Sequence, residues 1–82
     1  MPALEEFNLL SDHKKAEAIW QGHFLADREE NGLNVQLYSL CDFYVEVYYD
    51  GLANKILRFR AFKNTSQLTP YIAHIKFNMR SW

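Results

Sequence analysis

From residue 43 to residue 49 the chain reads Phe-Tyr-Val-Glu-Val-Tyr-Tyr, so that Phe43, Val45, Val47 and Tyr49 alternate with Tyr44, Glu46 and Tyr48. A two-residue period sends successive side chains to opposite faces of a pleated strand. Residues 23–28, 33–38 and 56–62 read as three more strands, with turn-forming residues between them. Asn31-Gly32 is a hairpin signal, because both residue types tolerate the positive φ angles of a tight turn. Leu40-Cys41-Asp42 reads as the turn between strands two and three, and 50–54, with Asp50, Gly51 and Asn54, as the turn between three and four. Connections this short imply an antiparallel meander in the order 1-2-3-4.

Helical spacing replaces the alternation at both ends. Pro2 suits a first helical turn, and Leu4, Phe7 and Leu10 follow at helical intervals. Ser11 is a good N-cap with Asp12 behind it, Ala16, Ile19 and Trp20 share one face, and Gly22 ends the segment. One kinked helix or two short ones over 3–20 fit these residues equally well. A closing helix over 65–75 is capped by Thr65 or Ser66, tolerates Pro70 near its start and carries Leu68, Tyr71, Ile72 and Ile75 as its apolar stripe. The tail 76–82 holds Phe77, Met79 and Trp82, which are expected to pack against the domain or a partner.

The expected register follows from collecting apolar residues on one face. With a three-residue turn at 40–42, Ser39 faces Phe43, Leu37 faces Val45 and Val35 faces Val47. Across the next turn Val47 faces Leu57, Val45 faces Phe59 and Phe43 faces Ala61; Phe24 and Ala26 join the same side. Helices at both chain ends are then expected to cover this face. The other face holds Leu25, Asp27, Gln36, Tyr38, Tyr44, Glu46, Tyr48, Ile56, Arg58, Arg60 and Phe62, with Tyr38 opposite Tyr44, Glu46 opposite Arg58 and Tyr44 opposite Arg60. Cross-strand pairs of this kind serve a sheet by themselves, at roughly 0.2–1 kcal/mol each.

Composition narrows the class. A chain of 82 residues is one domain near the lower limit for a self-sufficient core, and 49% hydrophobic content suffices for such a core. A formal net charge of -1 argues against a general nucleic-acid or membrane-surface binder, which needs a basic excess. The lone Cys41 excludes an intramolecular disulfide framework. No leader pattern opens the sequence and no apolar run approaches the roughly 18 residues that span a bilayer, so a cytoplasmic protein is expected.

Candidate chemistry is sparse. His13, His23 and His74 lack metal-ligand spacing, no Gly-rich phosphate loop occurs, and Asp42 beside Cys41 disfavours a thiolate. No cofactor or metal is expected. Asp27 with Glu46 forms a possible carboxylate pair, but Arg58 opposite Glu46 suggests an ion pair instead. Tyr38, Tyr44, Arg58 and Arg60 have the composition of a base-stacking platform, against which stand the wrong element order for an RNA-recognition motif and the acids Asp27 and Glu46.

Glu6-Phe7-Asn8-Leu9-Leu10, Phe24-Leu25-Ala26-Asp27-Arg28, Leu37-Tyr38, Phe43-Tyr44-Val45-Glu46-Val47 and Leu68-Thr69-Pro70-Tyr71-Ile72 resemble a group of small bacterial proteins with no assigned activity. The resemblance spans most of the chain and implies a compact α+β domain, with no site residues to carry over.

The sequence therefore predicts one α+β domain over 1–82: helical over 1–22, a four-stranded meander over 23–62, a helix over 65–75 and a tail over 76–82. The expected function is non-catalytic: self-association as a homodimer, or capture of a protein partner, through Tyr38, Tyr44, Glu46, Tyr48, Ile56, Arg58, Arg60 and Phe62. Tyr and Arg are enriched in such surfaces because they bury large area while still making hydrogen bonds. A small-molecule or peptide module on the same face is the alternative, ahead of a small enzyme or a single-stranded nucleic-acid binder.

Overall fold

In the computed structural model, which describes residues 3–71, two short helices precede a four-stranded sheet and a 3-10 helix follows it. Helices α1 (Leu4–Leu9) and α2 (Asp12–Ile19) are separate, divided by Leu10 in extended conformation. Ala3 N–H donates to Glu6 Oε1 at 3.0 Å to open α1, and Lys14 N–H donates to Ser11 Oγ at 3.3 Å to cap α2. Strands β1 (His23–Glu30), β2 (Leu33–Leu40), β3 (Phe43–Asp50) and β4 (Lys55–Phe62) pair antiparallel in the order β1-β2-β3-β4. The expected α+β fold and strand order are therefore observed. The closing element is a 3-10 helix over Thr65–Tyr71, and the rest of the expected helix, like the tail, lies outside the described residues.

Turn geometry sets the register, and at one turn it departs from expectation. Asn31 and Gly32 take φ of 52° and 82° in the two-residue β1–β2 turn, as their types allow. The β2–β3 turn also has two residues, Cys41 and Asp42, with Cys41 at φ 23°, so Leu40 opposes Phe43. The three-residue turn expected at 40–42 is corrected by one position, which carries every β2 side chain to the other face. Val35 now opposes Tyr48, Leu37 opposes Glu46 and Tyr38 opposes Val45. Between β3 and β4 the pairing slides by two, so faces are kept while partners change: Glu46 opposes Arg60, Tyr48 opposes Arg58, and Tyr44 opposes Phe62. The expected Tyr38–Tyr44, Glu46–Arg58 and Tyr44–Arg60 pairs are accordingly replaced.

Two bulges complete the rearrangement. Leu25 is the extra residue between Phe24 and Ala26, so Phe24 pairs with Tyr38 and Ala26 with Leu37. Leu57 is the extra residue opposite the Tyr48–Tyr49 step, leaving Ile56 against Tyr49. A bulge of this kind re-aims the side chains on one side of it, and it transfers Ile56 to the face of Val47 and Phe59.

The sheet consequently buries both faces. On the helix side Phe7, Ala18 and Ile19 pack against Leu40, Phe43, Val45 and Val47. On the other, Tyr71 and Leu68 of the 3-10 helix cover Ala26, Leu37 and Phe62. The closing helix therefore lies opposite α1 and α2, not beside them as expected. Gly22 stands at a close approach: a Cβ there would sit 2.6 Å from the Ser39 carbonyl oxygen.

Candidate functional site

Glu46 is the centre of the face expected to be an open interface, and it is fully buried. Its neighbours across the sheet are Leu37 on β2 and Arg60 on β4, with Ala26 beyond Leu37 on β1. A carboxylate in apolar surroundings is tolerated only when its charge and lone pairs are matched. Here each oxygen has two donors. Oε1 accepts from Arg60 Nε at 2.9 Å and from the Tyr48 hydroxyl at 3.2 Å. Oε2 accepts from Arg28 Nη2 at 3.1 Å and from the Tyr71 hydroxyl at 2.5 Å.

The surrounding groups extend the network. Arg28 Nη1 donates to Glu30 Oε1 at 2.6 Å, and Arg60 Nη1 donates to Gln67 Oε1. Two carboxylates thus balance two guanidinium groups. Arg28 lies 5.3 Å from the Tyr71 ring centre and Arg58 lies 4.0 Å from that of Tyr48, both within cation–π range. Tyr44 stacks on Phe62 with ring centres 5.6 Å apart. Among the described residues Arg28 Nε is buried without a hydrogen-bond partner.

Electrostatics follow this geometry. Burial pushes the Glu46 carboxyl up, but the Tyr71 hydroxyl and the two guanidinium groups outweigh it and hold the group below the ordinary carboxylate value. Burial and the adjacent Glu46 charge push the Tyr71 phenol well above its ordinary value. Because Glu46 is depressed in the folded state, its contribution is complete above the unfolded carboxyl pKa of about 4.3 and is lost as pH falls through the folded value. Urea unfolding at a series of pH values below about 4.3 is expected to show a steeper loss of stability for the native chain than for Glu46→Gln; parallel acid limbs would contradict the assignment.

The expected interaction residues divide between two environments. Glu46, Tyr48 and Phe62 are buried, Tyr44 and Arg60 are half-buried, and Arg58 is exposed, all on the face of the 3-10 helix. Tyr38 is on the helix side, with its ring 5.6 Å from that of Phe24 in an edge-on arrangement. Ile56 is also on the helix side. The continuous Tyr/Arg surface expected on one face is therefore corrected: Glu46, Tyr48 and Arg60 belong to a packed ion cluster, and Tyr38 and Ile56 lie on the opposite face. Asp27 pairs with Gln36 on the helix side and is separated from Glu46, which removes the carboxylate pair.

Among the described residues a different surface is left open. The helices leave uncovered a groove of about 90 Å³ lined by Ala16, Ile19, Trp20, Gln36, Tyr38, Val47, Ile56 and Phe59. Of its lining, Trp20 is 76% and Ile56 45% exposed, and Phe24, whose ring meets that of Tyr38, is 55% exposed. The spacing of Trp20 predicts a place on the packed face of α2. The helix instead buries Ala18 and Ile19, and its last turn leaves the indole standing at the groove's rim. A larger and more open polar depression of about 580 Å³, lined by Asp27, Arg28, Glu29, Asn34 and Pro70, runs beside β1.

Among the described residues no group of three or more His, Cys, Asp or Glu side chains is placed to hold a metal ion, and no helix is long and apolar enough to cross a membrane. His13 pairs with Glu17 at 3.1 Å on the exposed face of α2, His23 is exposed at the start of β1, and His74 lies outside the described residues. A four-stranded antiparallel α+β domain with one sealed ionic face and one open apolar groove is the class that fold and site define. No family model, no curated protein and no solved structure matches the chain.

Proposed function

We propose that this chain is a non-catalytic interaction domain of the cytoplasm that holds a protein partner on the helix side of its sheet. The observation that carries this reading is one groove lined by exposed Trp20 and Ile56, whose Tyr38 ring in turn meets the exposed Phe24 ring edge-on. Exposed aromatic residues around a preformed depression are the arrangement from which interface hot spots are built. The ionic cluster supports the same reading from the other side. Both oxygens of Glu46 are saturated by donors, so the carboxylate has no lone pair left for a substrate proton, and the cluster serves to fix the 3-10 helix.

A dye that reports apolar surface, 8-anilinonaphthalene-1-sulfonate, tests the reading at low micromolar protein. The native chain is expected to enhance its fluorescence, and Trp20→Ser with Phe24→Ser to lose most of that enhancement. Stability should stay within about 1 kcal/mol, as expected for surface positions. A loss of several kcal/mol would place these side chains in the core and overturn the proposal.

A further inference from the structure

The geometry points to a second copy of this chain as the occupant of the helix-side groove, docked about a two-fold axis with Trp20 of each copy seated in the groove of the other. This inference rests on the interaction reading above and names its partner. A two-fold contact needs one surface that carries both a projection and the recess to receive it. Here Trp20 projects from the rim of a groove whose other lining includes Tyr38, Ile56 and Phe59, so both parts lie on one face.

Area and charge agree with that occupant. Trp20, Phe24, Tyr38 and Ile56 together expose on the order of 400 Å² per copy, taking about 150–250 Å² for a whole aromatic side chain. Two copies thus bring together roughly 800 Å² of apolar surface, to which the polar rim adds the rest of the roughly 1,200 Å² that a specific pair buries. A formal net charge of -1 per chain gives two copies little reason to repel.

The sheet edges are poorer routes to the same dimer. Both β1 and β4 carry bulges, which twist an edge away from a partner strand. β4 presents Lys55 and Arg58 and β1 presents Asp27 and Glu29, so like edges meeting would oppose like charges. The apolar face has neither obstacle.

Sedimentation velocity of the full chain between about 5 µM and 1 mM, read alongside amide chemical shifts, tests the inference. The expected result is a monomer–dimer equilibrium whose dissociation constant rises at least tenfold in Trp20→Ser. Shift changes with concentration should be confined to the surroundings of Trp20, Phe24, Tyr38 and Ile56. Phe24→Ser is the second variant, expected to weaken the dimer without unfolding the chain. A native chain that stays monomeric at 1 mM, or a dimer whose shift changes map to the strand edges, overturns the inference. A monomer that still binds the apolar dye would leave the interaction reading standing with another partner; a monomer that does not would sink both.

Discussion

Replacing Glu46 by Ala is expected to lower the unfolding free energy by about 3–5 kcal/mol, the range for removing one partner from a buried ion cluster. The change deletes four hydrogen bonds at once and leaves the Arg28 and Arg60 guanidinium groups facing a hole. Arg28 retains Glu30, but its side chain is only 15% exposed, so water cannot replace what is lost. The buried Tyr71 hydroxyl loses its acceptor as well, and the 3-10 helix loses its main anchor. The cluster's net worth is a different matter. Desolvating two charges offsets much of their attraction, so Glu46→Leu combined with Arg28→Met and Arg60→Met is expected to recover most of the stability that Glu46→Ala loses. Chemical denaturation of both variants checks the pair of results. Equal damage in the two would mean that the charges themselves, rather than an unmatched remnant, stabilise the fold.

Phe7→Ala is the second large effect, at about 3–5 kcal/mol for truncating a fully buried aromatic. Phe7 is the one buried residue of α1, and its ring centre lies 5.6 Å from that of Phe43 on β3. A helix of six residues does not persist in water without tertiary contact, so the truncation releases α1 from the sheet and opens a cavity above Phe43. For a domain of this size each 1 kcal/mol moves the melting temperature by roughly 4–8 °C. Calorimetry should therefore show a fall of some 15–30 °C; a fall of only a few degrees would mean that α1 is dispensable and that Val45 and Val47 alone hold the helix side.

Much of the fold was legible in the chain. The alternation in 43–49, the Asn31-Gly32 turn and the short connections were enough for the strand order, and Ser11 marked the start of α2. The face assignments were only half legible. They depended on whether the β2–β3 turn has two residues or three, and Cys41-Asp42 carries no glycine to announce a positive φ. One residue at that turn decides whether Val35 and Leu37 lie beneath α1 and α2 or beside Glu46. The bulges at Leu25 and Leu57 are equally silent, since each is an ordinary apolar residue in an apolar run.

A single core is the simpler expectation for a chain of this length. Collecting every apolar residue on one face is the right rule for a sheet with one solvated side. This sheet buries both, because Leu68 and Tyr71 return over the face opposite the helices. Glu46 then reads as an exposed charge from its place among tyrosines, whereas it is fully buried and the one buried charged residue among the described residues. The expected register sets Arg60 against Tyr44, and no local spacing points Arg28 at a carboxylate. That Arg28 reaches Glu46 from two strands away is a property of the packed sheet and not of any local spacing.

Hydroxyl-radical footprinting at a protein concentration low enough to keep the chain monomeric tests the division between a sealed ionic face and an open apolar one most directly, because it reads both faces at once. Trp20 and Phe24 are expected to be oxidised rapidly, with Tyr48, Phe62 and Tyr71 strongly protected. The account would be contradicted by the reverse pattern, in which Tyr48 and Phe62 are modified at the rate of surface residues while Trp20 and Phe24 are shielded.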